Sequence, residues 1–74
     1  MMVSTFFANL RKPNEVKHGM YHITWKDGRT SDACIGSYPD GSRWLMCTDW
    51  FNGVDKLDLY WNNILILAHI DMEE

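Results

Sequence analysis

The sequence predicts a mainly β protein, a small five-stranded antiparallel barrel with a short helix at its N-terminus. Asp-Gly or Asn-Gly pairs recur between strand-like runs, at residues 27–28, 40–41 and 52–53. Such pairs favour tight hairpins, because glycine takes up a positive φ at no steric cost. An apolar run at 64–72 adds a last strand. Five short strands joined in this way are expected to close into a barrel, which removes exposed sheet edges.

The composition is that of one small domain, residues 1–74. The chain is 46% hydrophobic and 14% aromatic, with four Trp, so a small core can still bury a useful area. Its formal charge is −3, and seven Lys and Arg are scattered among ten acids. This balance disfavours nucleic-acid binding as a general activity and permits binding to a basic protein surface.

Cellular location is predicted from what the sequence lacks. No run of 18 apolar residues is present, and the first residues have no charged region followed by an apolar one. We therefore expect no membrane association and a cytoplasmic protein. In that compartment Cys34 and Cys47 are expected to be free thiols.

Residues 4–12 are predicted to form the helix. Ser4 is a suitable N-cap, and Phe6 and Leu10 lie four residues apart on one face. Basic residues at the end of the segment suit the helix dipole, and Pro13 ends it. A helix this short needs to pack against the sheet.

The central meander can be placed in register from its turns. With Gly28 left-handed in a three-residue loop, the first hairpin sets Trp25 opposite Arg29, Ile23 opposite Ser31 and Tyr21 opposite Ala33. With a type I turn and a glycine bulge at 38–41, the second sets Gly36 opposite Trp44, Ile35 opposite Leu45, Cys34 opposite Met46 and Ala33 opposite Cys47. A two-residue Asp-Gly loop is the alternative, and it would place Cys34 opposite Cys47, near enough to bridge.

This register divides the meander into two faces. The predicted core face carries Tyr21, Ile23, Trp25, Ala33, Ile35, Leu45 and Cys47. The opposite face carries Cys34, Gly36, Tyr38, Trp44, Met46, Thr48 and Trp50. The second set is more apolar than a solvent-facing surface requires, which is typical of an interface.

The C-terminal third is predicted to contain two further strands. Leu57, Leu59 and Trp61 alternate with polar residues, as in a half-buried strand. After an interruption at 62–63, the run at 64–72 is apolar on both faces, as expected of a strand that closes a barrel or lies at a subunit interface.

That order of elements, with two local motifs, resembles the Sm-like and SH3-like small barrels. The motif ITWKDGR at 23–29 with Ala33 after it, and LDLYWNNI at 57–64 followed by His69, are similar to the first hairpin and the ending of the Rof group of Rho-binding inhibitors of transcription termination. The resemblance implies a five-stranded barrel and a regulatory role in transcription, exerted by binding a protein.

No motif points to catalysis, a metal or a cofactor, and we expect none of the three. Cys34 and Cys47 do not form a C-x-x-C pair. His18, His22 and His69 lack the spacing of a ligand set, since metal sites need three or four matched ligands.

The sequence therefore predicts a non-catalytic binding module, a small regulator or accessory factor that belongs to a phage or other mobile element. The predicted partner-binding residues are Tyr38, Trp44, Met46 and Trp50 as an aromatic-rich anchor, with Asp49, Asp55 and Asp58 as an acidic rim. Two alternatives stay open. One is a single-stranded RNA or DNA binder that stacks bases on its aromatic side chains, and the other is an obligate homo-oligomer whose apolar face is only a subunit contact.

Overall fold

The structure, a computed structural model, describes residues 2–47 and 55–71 and confirms the mainly β class. One antiparallel sheet contains six strands in the order β1-β6-β2-β3-β4-β5. The strands are β1 Met2–Phe7, β2 Gly19–Trp25, β3 Thr30–Ser37, β4 Arg43–Cys47, β5 Asp55–Lys56 and β6 Ile64–Asp71. Single 3₁₀ turns lie at Ala8–Leu10, Pro13–Glu15, Leu57–Leu59 and Trp61–Asn63. No helix in the described residues is long and apolar enough to span a bilayer.

The predicted meander β2-β3-β4 is confirmed in every strand pair. Tyr21 lies opposite Ala33 and Cys34 opposite Met46, so the two hairpins agree in register. Both turns depend on glycine, with φ of 93° at Gly28 and 90° at Gly41. The three-residue loop and the type I turn with its bulge are therefore the connections formed, and the alternative that sets the two cysteines face to face is not.

An aspartate holds each of these turns by accepting hydrogen bonds from the residue two positions later. Asp27 accepts from the Arg29 amide at 3.0 Å, and Asp40 accepts from the Ser42 amide at 2.9 Å. The amide of Arg29, with its guanidinium, lowers the pKa of the Asp27 carboxyl. The hydroxyl and amide of Ser42 lower the pKa of Asp40 in the same way.

The predicted helix over 4–12 is wrong, because residues 4–7 belong to strand β1. Ser4, the expected N-cap, lies opposite His69 of β6. Short helices are marginal without tertiary support, whereas β-branched and aromatic residues suit a strand that finds a partner. Only the turn Ala8–Leu10 is helical, and Leu10 is 73% exposed, so the expected apolar helix face does not form.

The predicted strand over 54–61 is also largely wrong, since its described part is paired only at Asp55–Lys56. Beyond it the chain turns, with the Tyr60 amide donating to the Leu57 carbonyl at 3.0 Å. A 3₁₀ turn repeats every three residues rather than two. Leu57 is therefore buried while Leu59 is 66% exposed, against the expected alternation.

The predicted last strand is confirmed as β6, but it does not close a barrel. It lies in the interior of the sheet, between β1 and β2. Ile64 lies opposite Trp25 and Ile66 opposite Thr24, so Leu65 is an extra residue in a β-bulge. The bulge allows Ile64 and Leu67, three positions apart, to be buried together.

The five-stranded barrel is corrected to an open sheet with a sixth strand. In the described residues β1 and β5 form the two ends and each pairs with one neighbour. The extents of 30 × 28 × 26 Å are nearly equal, so the sheet curls around its core rather than lying flat. The third hairpin signal, at 52–53, lies outside the described residues.

All seven residues of the predicted core face are buried, together with five that were not in that set: Ala8, Val16, Leu57, Ile64 and Leu67. Polar groups within the core are paired. The Trp25 indole donates to the Ser31 hydroxyl at 3.0 Å, and the Tyr21 hydroxyl donates to the Lys17 carbonyl. Burial raises the pKa of Tyr21 to about 12, partly offset by the positive charges of Arg11 and Arg43.

Candidate interaction surface

The outer face of the sheet, opposite the core, carries a continuous row of apolar side chains. Strand register places Val3, Ile70, Met20, Cys34 and Met46 side by side on β1, β6, β2, β3 and β4. We call these five residues the apolar row. Val3, Met20 and Met46 are 56%, 46% and 43% exposed, and the other two are half-buried. Five neighbouring strands thus present no polar side chain along this line.

An aromatic cluster adjoins the row where β3 and β4 approach the Asp40 turn. Trp44 lies opposite Gly36, and a Cβ added at Gly36 would overlap the indole, so the ring lies across the glycine backbone. Lys56 lies opposite Trp44 on β5, with its ammonium 5.7 Å from the centre of the Tyr38 ring. The sheet therefore holds Trp44 in place with one side of the indole covered.

The predicted site residues fall into three groups. Tyr38, Trp44 and Met46 belong to the outer face or its margin, as expected. Asp55 and Asp58 do not join them. Asp49 and Trp50 lie outside the described residues.

Asp55 faces the core side of β5, where it lies opposite the buried Leu45. Its side chain interacts with Tyr60. Burial raises the pKa of the Tyr60 hydroxyl, and the hydrogen bond to Asp55 and its negative charge add to the effect. Asp55 is therefore engaged within the fold, on the face opposite to the apolar row.

Asp58 is exposed in the turn Leu57–Leu59 and lines a cleft of about 330 Å³ together with three cations. The complete lining is Lys12, Pro13, Asn14, Ser42, Arg43, Lys56 and Asp58. Arg43 is fixed there, because its guanidinium donates to the Val16 and Gly41 carbonyls at 2.7 Å each. Three of the seven Lys and Arg residues thus come together from distant parts of the sequence, so no local sequence pattern predicts this cluster.

A second cleft, of about 550 Å³, lies where β2 begins and β6 ends, and its lining includes His18 and His69. The His69 ring packs against the Tyr21 ring at a tilt of 35°, with centroids 4.7 Å apart, and a Cβ at Gly19 would lie 2.7 Å from its Nε2. His22 is on the outer face, 3.0 Å from Asp32. Within residues 2–47 and 55–71 no three His, Cys, Asp or Glu side chains are grouped to hold a metal ion.

The two cysteines lie on opposite faces, as the register predicted. Cys34 belongs to the apolar row and is half-buried, whereas Cys47 is buried in the core. Neither forms a disulfide bond.

No family model matches the chain, and no curated protein or solved structure matches it either. The likeness to the Rof group therefore stays a prediction.

Proposed function

We propose that the protein is a non-catalytic binding module, a small cytoplasmic regulator that binds another protein through the outer face of its sheet. The apolar row carries the proposal. A contiguous line of apolar side chains across five strands, three of them exposed and two half-buried, is unfavourable in water and is typical of a surface that a partner covers.

The chemistry of the row suits a binding surface. Met20 and Met46 are unbranched and polarizable, so they adapt to the shape of an apposed surface. Trp44, held across Gly36, supplies a large anchor whose orientation is fixed before binding. Adaptable side chains beside one fixed aromatic ring are a favourable combination for a protein interface.

Charge favours a basic partner, since the chain carries a formal charge of −3. Asp49 and Trp50 remain part of the proposed contact, as predicted from the sequence. A partner that reached Asp55 or Asp58 as well would have to extend around the β5 edge. The resemblance to the Rof group, together with the predicted origin in a phage or other mobile element, suggests a component of the transcription machinery as that partner.

Site-specific photo-cross-linking in the native host tests this proposal. We would place p-benzoylphenylalanine at Met46 on the row, and at Leu59 as a matched control that is 66% exposed off the row. A cross-link to one host protein from position 46 and none from 59 supports binding through the row, provided that the cross-link is lost when Met20→Glu places a charge elsewhere on the row. Cross-links only to copies of the chain itself, or equal cross-links from both positions, contradict it.

A second candidate function, binding of single-stranded RNA or DNA, is favoured by one specific observation. Tyr38 and Trp44 lie beside Lys56, which with Lys12 and Arg43 lines the same cleft. Aromatic platforms next to cations are the usual equipment for stacking bases and holding phosphates. The net negative charge of the chain works against it.

Titration with a fluorescent oligouridylate separates the two candidates. Nucleic-acid binding predicts an affinity that falls steeply with added salt and is weakened by Lys56→Gln. Protein binding through the row predicts no oligouridylate binding and no effect of Lys56→Gln on the cross-link from position 46.

A further inference from the structure

Strand β1 is a long edge of the sheet formed by the described residues. It comprises the six residues Met2–Phe7 and, in the part of the chain that the structure describes, pairs only with β6. In an antiparallel pair, alternate residues direct their N–H and C=O groups away from the neighbouring strand. Along β1 these groups form a template on which a further strand can add.

The sequence of β1 contains none of the devices that usually protect such an edge. Proteins block edge strands with charged side chains, proline, bulges or very short strands. MVSTFF has no charge and no proline, and four of its six residues are β-branched or aromatic. The opposite edge differs in both respects, because β5 has only two residues and both are charged, Asp55 and Lys56.

Exposed apolar side chains are concentrated at the same place. In the described residues eight large hydrophobic side chains are exposed, and four of them lie on β1 or in the turn after it: Met2, Val3, Phe7 and Leu10. Met2 is 67% exposed, Val3 56% and Phe7 50%. A strand added to this edge would cover apolar area as well as satisfy backbone groups.

We propose that β1 pairs with β1 of a second copy of the chain, in antiparallel orientation about a two-fold axis normal to the sheet. The two six-stranded sheets then become one continuous sheet. This symmetry keeps the same face outward in both copies, so residues of equal parity face each other. With Thr5 on the axis, Val3 of one copy faces Phe7 of the other.

The lack of charge on β1 favours a second copy over a charged foreign peptide. β1 has no charged side chain that would attract a basic or an acidic peptide, and in self-pairing no like charges are opposed in any register. Two-fold dimers are the commonest assemblies, and self-pairing needs only that β1 tolerate itself. The contact uses the edge of the sheet, so it goes beyond the proposed function, which uses the outer face.

Sedimentation equilibrium on the full chain over a range of concentrations, combined with amide hydrogen exchange, tests the dimer. An edge pair buries little area, so we expect dissociation in the micromolar range. On dimerisation alternate amides of 2–7 should become protected, while those of 55–56 should not change. Exchange identifies the edge directly, because a dimer formed through the outer face would leave the β1 amides unprotected.

Thr5→Lys is the disrupting variant, and Thr30→Lys is its control. Both threonines are exposed on strands, but Thr30 lies on β3, away from the edge. We expect Thr5→Lys to weaken dimerisation at least about tenfold, through charge repulsion at the axis, and Thr30→Lys to leave it unchanged. A wild-type protein that stays monomeric to about 1 mM, against the micromolar affinity expected of an edge pair, overturns the proposal. A dimer in which the amides of 2–7 are not protected also overturns it, as does an equal loss of dimer affinity in the two variants. If Thr5→Lys does not fold, hydrogen exchange of the wild type alone is the test.

Discussion

The core face and the outer face of this sheet are built from the same strands and are both apolar, yet the first is buried and the second is largely exposed. On β4, Leu45 points inward and is fully buried, while the next residue, Met46, points outward and is 43% exposed. Curling of the sheet covers the first face and leaves the second open. Apolar composition alone therefore does not identify the core, since the position of a residue in the pleat and the curvature of the sheet decide which apolar side chains are buried.

The largest expected effect comes from truncating these neighbours one at a time. Leu45→Ala should lower the free energy of unfolding by about 2–5 kcal/mol, because it removes buried contacts and leaves a cavity. Met46→Ala should change it by less than about 1 kcal/mol, since little buried area is lost. Urea unfolding of both variants, with unchanged m-values, measures the difference. Similar losses from the two would show that the outer face is covered in the free protein.

A second expected effect belongs to the core face alone and depends on pH. The pKa of Tyr21 is raised from 10.0 to about 12 by burial, so between these values the unfolded state loses the phenolic proton while the folded state keeps it. The free energy of unfolding should therefore fall as pH rises through this window, by a total on the order of 2 kcal/mol. Below the window Tyr21 is protonated in both states and adds no pH dependence.

Tyr21→Phe is the reference for this effect, because it keeps the ring and cannot ionise. The unfolding free energy of the wild type minus that of Tyr21→Phe should be constant up to about pH 9, below the ordinary tyrosine pKa. Above that pH the difference should fall, because only the wild type loses stability through ionisation at this position. A difference that stays constant through pH 12 would contradict burial of an intact phenol.

The smallest effect sharpens the comparison by chemical labelling, with one cysteine on each face. Cys34 is half-buried in the apolar row and Cys47 is buried in the core. In single-cysteine proteins made with Cys47→Ala or Cys34→Ala, the thiol at 34 should react with a maleimide at least about tenfold faster, since a buried thiol reacts only when the fold opens. Urea below the transition should accelerate labelling of Cys47 alone. Equal rates would mean that the two faces are equally accessible.

The meander was predictable because its information is local. Asp-Gly turns fix the loop lengths, loop length fixes register, and register assigns Cys34 and Met46 to one face and Ile35 and Leu45 to the other. Each step needs only residues close in sequence.

The flanking segments were not predictable because their partners are remote. Residues 4–12 satisfy local rules for a helix, but β1 is paired to β6, from the far end of the described sequence, with Val3 opposite Ile70. At 57–63 alternating hydrophobicity imitates a strand where successive 3₁₀ turns form. In the first case long-range strand pairing outweighed the local helix propensity. In the second the backbone follows the three-residue repeat of a 3₁₀ turn instead of the two-residue repeat of a strand.

The residues of the candidate surface also fall into a locally predictable group and a group that depends on long-range pairing. Trp44 and Met46 could be assigned to the outer face from alternation. Val3 and Ile70 could not, because they join the row only through pairing of β1 and β6. The meeting of Lys12 with Arg43 and Lys56 likewise depends on the path of the polar connection after β1, where Val16 is also unexpectedly buried.

The interior position of β6 has a consequence for synthesis of the protein. In the described residues, β1 and β2 precede the other strands in the sequence, yet they do not pair with each other, because β6, which follows them all in the sequence, lies between them in the sheet. A nascent chain must therefore carry the apolar β1 unpaired until residues 64–71 have emerged from the ribosome. Formation of the sheet is therefore expected to wait for β6 and to be dominated by non-local contacts, which makes it slow for a domain of this size. Throughout that interval the N-terminal segment is open to chaperones and to aggregation.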